Sequence, residues 1–181
     1  MVYTLERYHQ SIDAGILTEN DAIELIFGRI VEKMPVGKRH NDCVVALNRY
    51  FLLNFDREFR CQPQCSVTLL GNSEPEPDFA LIDRSTYAGR ARNPEGEDIR
   101  LIVEVSDSTL AYDRTVKAKL YALAALPEYW IVNLQDDQVE VYTDPDPDPG
   151  DYTTIRRYKT GNFLESPLCG RIAVAELLGT A

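Results

Sequence analysis

The sequence predicts an α/β protein: a mixed central β-sheet with a helix on each face, preceded by an N-terminal helix and a β-hairpin. Three observations lead there. The run IRLIVEV at 99–105 is short, β-branched and nearly all apolar, as a buried central strand requires. Val44, Leu47, Phe51, Leu52 and Phe55 recur at helical spacing and mark one face of a long helix over 38–55. The segments alternate in the order α-ββ-α-βββ-α-ββ-β, which suits a sheet covered on both sides.

The elements follow in order. Residues 4–14 (TLERYHQSIDA) read as a short helix ended by Gly15. Residues 22–34 read as two strands around a tight turn at Phe27-Gly28. Strand-like runs occupy 59–70 and 77–83, and the polar, Gly/Pro-punctuated stretch 84–98 reads as a mobile loop. Ser106 to Thr109 supply capping chemistry for a helix over 110–125. Strands at 128–134 and 138–143 flank Asp136-Asp137, a hairpin signal. DPDPDPGD at 144–151 reads as an exposed loop, because its prolines block helix and central strand. A strand at 153–158 and a short helix at 172–178 close the chain. No repeat or linker divides it, so one domain over 1–181 is expected.

Composition narrows the function classes. At 181 residues and 44% hydrophobic content, the chain is too apolar for a disordered one and long enough to bury roughly 70% of its unfolded surface. No run reaches the ~18 apolar residues of a membrane helix. MVYTLERYHQ lacks the basic leader and apolar stretch of a secretory signal, so a cytoplasmic protein is expected, with no membrane partner. Cys43, Cys61, Cys65 and Cys169 are too sparse for a disulfide scaffold and have no second Cys or His pair for zinc. They read as reduced thiols. The balance of 19 Lys and Arg against 29 Asp and Glu gives a net charge of −10. Such a chain is a poor non-specific duplex binder, because that affinity comes from neutralising phosphates. A local basic rim with a bound metal stays open to it.

Several site types are missing. There is no GxxxxGK phosphate loop, no GxGxxG and no nucleophile elbow, and the two histidines, His9 and His40, lie far apart. What stands out is acids in apolar strands. Asp78 follows Pro77 and opens DFALID, and Glu104 sits inside LIVEV. A carboxylate there is costly to bury unless paired, hydrogen-bonded or metal-bound. On the residues alone, a strand-end ion pair and a metal ligand fit Glu104 equally well. Strand alternation places Glu104 on the face of Ile102, with Val103 and Val105 opposite.

The following helix adds to this. Asp113, Lys117 and Tyr121 are spaced i, i+4, i+8 and fall in one row, while Val116, Leu120 and Leu123 form another. The plain reading is a surface Asp113–Lys117 pair worth a few tenths of a kcal/mol. The functional reading is a lysine facing a metal held by Asp78 and Glu104. Glu24, in the strand AIELI, is either a hairpin-face charge or a third acid. Carboxylates without Cys or His form a hard-oxygen site, which selects Mg²⁺ or Mn²⁺.

PDFALID and LIVEVSDSTLAYDRTVKAKLYALAALPEYWIVN resemble the Uma-two family of restriction endonucleases, within the PD-(D/E)XK nuclease superfamily. The similarity also takes in the ELIFGRIVEKM hairpin and the terminal PLCGRIAVAELL, and its most specific part is EVSDST, DRTVK and YALAALPEYW in that order. The resemblance implies a restriction-endonuclease-like core and a divalent-metal site. Asp78 matches the acid after Pro, and Glu104 the acid of the second motif. Ser106 stands where the superfamily usually has its lysine, and Lys117 on the next helix matches the position that replaces it. Glu24 matches a supplementary acid. The chain departs from the pattern at Phe27, where Asp is usual, and at Leu126, where a Gly-Val step is typical.

The expected function is metal-dependent endonucleolytic hydrolysis of nucleic-acid phosphodiester bonds, with DNA as the expected substrate and Mg²⁺ or Mn²⁺ as cofactor. Asp78, Glu104 and Lys117 are the expected catalytic residues, and Asp78, Glu104 and Glu24 the metal ligands. Asp113, Tyr121 and Ser106 are expected to support them. Lys38, Arg39, His40, Arg84, Arg90 and Arg92, with Lys33, are candidates for a basic rim. A homodimer is expected, because the two strands of a cut duplex are related by a two-fold. Two other readings stand beside it. One is a non-catalytic module that keeps the fold for binding or oligomerisation. The other is a carboxylate-pair glycosidase, which gives Lys117 no role.

Overall fold

The computed structural model describes residues 2–18, 21–88 and 91–180. Helix α1 (Leu5–Asp13) leads into the hairpin β1 (Ile23–Ile26) and β2 (Arg29–Glu32), and then into the long helix α2 (Lys38–Phe55). Phe27 and Gly28 at the hairpin tip both have positive φ, 49° and 71°, so the turn follows the right-handed twist of its strands. A side chain at position 28 would also run into Val2 Cγ1 and the Tyr3 carbonyl, 2.6 and 2.9 Å away.

The central sheet has six strands in the order β3-β4-β5-β6-β7-β8. They are β3 (Phe59–Pro63), β4 (Phe79–Asp83), β5 (Ile99–Ser106), β6 (Glu128–Asn133), β7 (Gln138–Asp146) and β8 (Asp151–Lys159). Every neighbouring pair is antiparallel except β5 and β6. A parallel pair needs a crossover of a dozen or more residues, and here the helical segment 110–123 supplies it. Alternation sends Leu101, Val103, Val105, Trp130 and Val132 to one face, against Cys43, Leu47 and Phe51 of α2. Ile102, Tyr129 and Ile131 go to the other, against Leu120 and Tyr121. The face assigned to Glu104 from alternation is therefore the face of the crossover helix.

That helix is not continuous. It runs as α4 (Leu110–Tyr112), a π turn (Asp113–Lys117) and α5 (Ala118–Leu123). The wide turn is clamped from both sides. Asp113 Oδ2 accepts 2.6 Å hydrogen bonds from the Ser106 and Thr109 hydroxyls, and the Tyr129 hydroxyl donates to the Asp113 carbonyl at 3.2 Å. Arg114 reaches across to β7, where its Nη2 donates to Glu140 Oε1 at 2.5 Å and its Nε to Oε2 at 3.1 Å.

Glu140 is fully buried and also accepts from Asn133, Gln138 and Tyr142. Burial works against its ionisation, but these donors, Arg114 foremost, outweigh it and hold the carboxyl below the ordinary glutamate range. Arg114→Ala removes the closest cation and leaves the carboxylate to Asn133, Gln138, Tyr142 and, at 3.6 Å, Arg157; it is expected to cost about 2–3 kcal/mol in urea unfolding. Because the folded-state value lies below the unfolded one, the Glu140 contribution is fully present above pH ~4.5 and is lost as pH falls through the lower folded value. An acid titration of the wild type should therefore show a stability loss that Glu140→Gln lacks.

Four segments depart from the sequence-based expectation. The strand expected over 59–70 stops at Pro63; Val67 and Leu69 are buried in irregular chain held by isolated bridges to Glu95 and Ser73. The expected loop 84–98 contains a short helix, α3 (Arg84–Tyr87), and a 3-10 turn at Gly96–Asp98, where Arg92 Nη1 donates to buried Asp98 at 2.8 Å. Much of DPDPDPGD is strand: β7 continues to Asp146 opposite β8. Pro145 is tolerated because β6 stops pairing at Thr143, which leaves β7 an edge there with β8 as its one neighbour.

The fourth departure is a hairpin of β9 (Phe163–Ser166) and β10 (Gly170–Ala173), followed by α6 (Val174–Leu178). Each strand has four residues, too few for alternation to register. Buried Glu128 pins its turn, accepting from Trp130 Nε1, Ser166 Oγ and the Leu168 N–H.

The four cysteines are free thiols, with Cys43 buried, Cys61 and Cys169 half-buried and Cys65 exposed. Among the described residues, no helix is long and apolar enough to cross a membrane.

Candidate active site

The antiparallel β4–β5 register puts Phe79 opposite Val103, so the residue before β4 faces the end of β5. Asp78 and Glu104 meet there. The Asp78 N–H points at Glu104 Oε2 across 3.4 Å, and the Val105 N–H donates to Asp78 Oδ2 at 2.9 Å. The π turn carries Lys117 over the same point. Its ammonium lies 2.7 Å from Glu24 Oε2 and 3.1 Å from Glu104 Oε1. Tyr121, one turn on, donates to the same Glu104 oxygen at 2.6 Å. Four residues from the β1 hairpin, the start of β4, the end of β5 and the crossover helix therefore line one cleft of about 790 Å³.

The charges are strongly coupled. Burial pushes the Glu104 carboxyl up to about 8, against the pull of Lys117, and Asp113, Asp78 and Glu24 add to the push. Burial by itself lowers Lys117, but Glu104 and Glu24 outweigh it and hold the ammonium above the ordinary lysine value. Asp113 is also raised, by burial, with the Ser106 and Thr109 hydroxyls opposing. Glu24 balances the one ammonium, so in this nearly dry site the Glu104 carboxyl is favoured neutral.

This donor set suits a hard cation. Among the described residues, no three His, Cys, Asp or Glu side chains form a closed cage for a metal ion. Mg²⁺ asks for less: one or two carboxylates, with water and substrate phosphate completing its shell. Asp78 and Glu104 meet that requirement at the edge of an open cleft. Glu24 is turned toward Lys117, in the same cluster.

Other sequence candidates fall differently. Asp113 does not pair with Lys117 on the surface; it anchors the π turn through Ser106 and Thr109. His40 lies inside the cleft, and its Nε2 sits 3.1 Å from Asp78 Oδ2. Burial lowers its pKa, and the hydrogen bond and charge of Asp78 more than compensate, leaving a net rise. Lys38 pairs with Asp42, Arg39 with Asp137 and the Leu134 carbonyl, Arg84 with Asp56, and Arg92 with Asp98. Lys33 pairs with Glu76 at 2.7 Å. Arg90 lies outside the described residues.

Sequence reasoning missed Tyr112. Its ring lines the cleft and its hydroxyl is buried without a hydrogen-bond partner among the described residues. No local signal marked it, since the π turn that starts at the next residue is not visible in the sequence. An unsatisfied buried hydroxyl is a cost to the folded state. Tyr112→Phe is therefore expected to leave the urea midpoint unchanged or raise stability by about 1 kcal/mol.

The mixed six-stranded sheet, helices on both faces and the acid pair where the start of β4 meets the end of β5 define a restriction-endonuclease-like fold. Residues 5–175 match the Uma2 family, described as "Putative restriction endonuclease", and the chain belongs to that family. Among solved structures it is similar to one described as a putative nuclease belonging to DUF820 from Anabaena variabilis ATCC 29413. Their identity is 15%, the TM-score is 0.70, and 98% of each chain is covered. It also aligns with the type IIG restriction endonuclease BpuSI at 17% identity and a TM-score of 0.45, over 86% of this chain and 17% of that one. A search of curated proteins finds no match.

Proposed function

We propose that the chain is a divalent-metal-dependent nuclease that hydrolyses phosphodiester bonds, with DNA as its first substrate to test. The observation that carries this reading is the buried Lys117 ammonium, 3.1 Å from Glu104 and in the same open cleft as Asp78. The family membership supports the same class of chemistry.

Asp78 and Glu104 would hold Mg²⁺ or Mn²⁺, with Glu24 in support. When bound, such an ion polarises a phosphoryl oxygen and makes hydroxide available near neutral pH. The protein's own groups do the rest. The Val105 N–H and His40 fix the Asp78 carboxylate, and Tyr121 fixes Glu104. Lys117 places a positive charge where it can orient the attacking water and offset charge building on the phosphate.

Purified protein incubated with plasmid and with single-stranded DNA in Mg²⁺ or Mn²⁺ should cut, and chelator should stop it. Glu104→Ala and Lys117→Ala should not cut. Equal activity in those variants would trace the cutting to a contaminant and end the reading.

A further inference from the structure

The cleft has a lining of mixed chemistry. Seven carboxylates line it against two lysines, Lys33 and Lys117, and both lysines are already paired with acids. Just outside, Lys38 is paired with Asp42 and Arg39 with Asp137. A duplex binder needs cations free to face a row of phosphates on two strands, because that is where duplex affinity originates. This mouth offers few. One stretch of the lining is largely apolar: Val31 from β2, then, past Glu32 and Lys33, Met34, Pro35 and Val36 in the segment joining β2 to α2. Met34 and Val36 are 58% and 53% exposed. Large apolar side chains left in water beside a reactive centre mark a contact surface for something flat and poorly hydrated.

We propose that the substrate is a strand whose bases are unpaired at the cut, with a splayed base resting on the Met34–Val36 wall while its phosphate reaches Asp78, Glu104 and Lys117. This rests on the nuclease reading above and deepens it. An unpaired strand adds what a duplex hides: base faces that can rest on apolar side chains in a sequence-tolerant way and supply affinity beyond phosphate neutralisation. A single strand also needs only one site, so the two-fold argument for a dimer does not apply to it.

The test uses the full chain and one fluorescent 20-mer DNA sequence, presented single-stranded, as a perfect duplex, and as a duplex with a central unpaired bubble. Cutting in Mn²⁺ should favour the single strand and the bubble by at least tenfold over the duplex. Binding to the single strand, followed by anisotropy in Ca²⁺, should have a shallow salt slope of about −0.7 to −1.4, the value for one or two neutralised phosphates. Met34→Ala/Val36→Ala touches only exposed side chains, so its melting temperature should not change. Its KM for the single strand should rise about tenfold with kcat nearly intact.

Equal cutting of duplex and single strand, or an unchanged KM in the double variant, overturns the inference. If wild type cuts nothing but binds the single strand preferentially through Met34 and Val36, the nuclease reading falls and the unpaired-strand surface stands. If it neither cuts nor discriminates, both fall.

Discussion

Lys117→Ala is expected to abolish cutting and to destabilise the fold by about 3–5 kcal/mol. Both effects have one source. The ammonium is nearly inaccessible to water and bridges Glu24 and Glu104 at 2.7 and 3.1 Å. Removing it leaves two carboxylates facing each other in a site that hydrates them poorly. An isolated buried charge is far more costly than a buried pair is beneficial. Urea unfolding should show the shift in midpoint at an unchanged m-value. The two consequences separate in a second variant. Glu24→Gln/Lys117→Met removes one carboxylate together with the ammonium and should recover much of the stability, yet activity should stay down by about 10³-fold or more. A double variant that regains cutting would make Lys117 a structural residue only.

Glu104→Gln should show the opposite split: cutting lost, and the metal-free protein as stable as wild type or more so. The amide keeps a carbonyl oxygen at Oε1, so Tyr121 and Lys117 retain their acceptor. It removes a charge that the buried site disfavours, leaving Glu24 and Lys117 as a balanced pair, and the amide nitrogen displaces only the 3.4 Å approach of the Asp78 N–H at Oε2. Burial already drives the Glu104 carboxyl well above the ordinary glutamate range, so the fold favours a neutral group there. A retained buried carboxylate that weakens the resting protein is understandable if it serves chemistry. Thermal unfolding in chelator and a DNA-cutting assay on the same preparation read both halves. Wild-type cutting by this variant would remove Glu104 from the mechanism.

The acids and the lysine were legible because each breaks a local rule. Asp78 opens an apolar strand behind a proline, Glu104 interrupts LIVEV, and Lys117 lies in a polar row of an amphipathic helix. The central sheet was legible for the related reason that β5 and β6 are long, apolar and β-branched. The partner choices were not. Lys117 meets Glu24 across 93 positions of chain, and Arg39 meets Asp137 across 98. No local pattern encodes such pairings, so a rim of free cations was expected where the fold pairs each described member with an acid or, for His40, with Asp78. The π turn was hidden for a similar reason. Its hold on β7 comes from Arg114 and Glu140, which the sequence offers only as two more charges among many.

That widened turn has a genetic consequence. A π turn holds one residue more than the α turn it replaces, and each residue of a helix sweeps about 100° around the axis. In-frame loss of a single codon between Asp113 and Lys117 would let the backbone relax to ordinary winding with the two flanking segments still in phase. The same loss within Ala118–Leu120 has no extra residue to absorb it and would swing Tyr121 about 100° away from Glu104. The helix therefore tolerates a three-nucleotide deletion in one turn and not in the next.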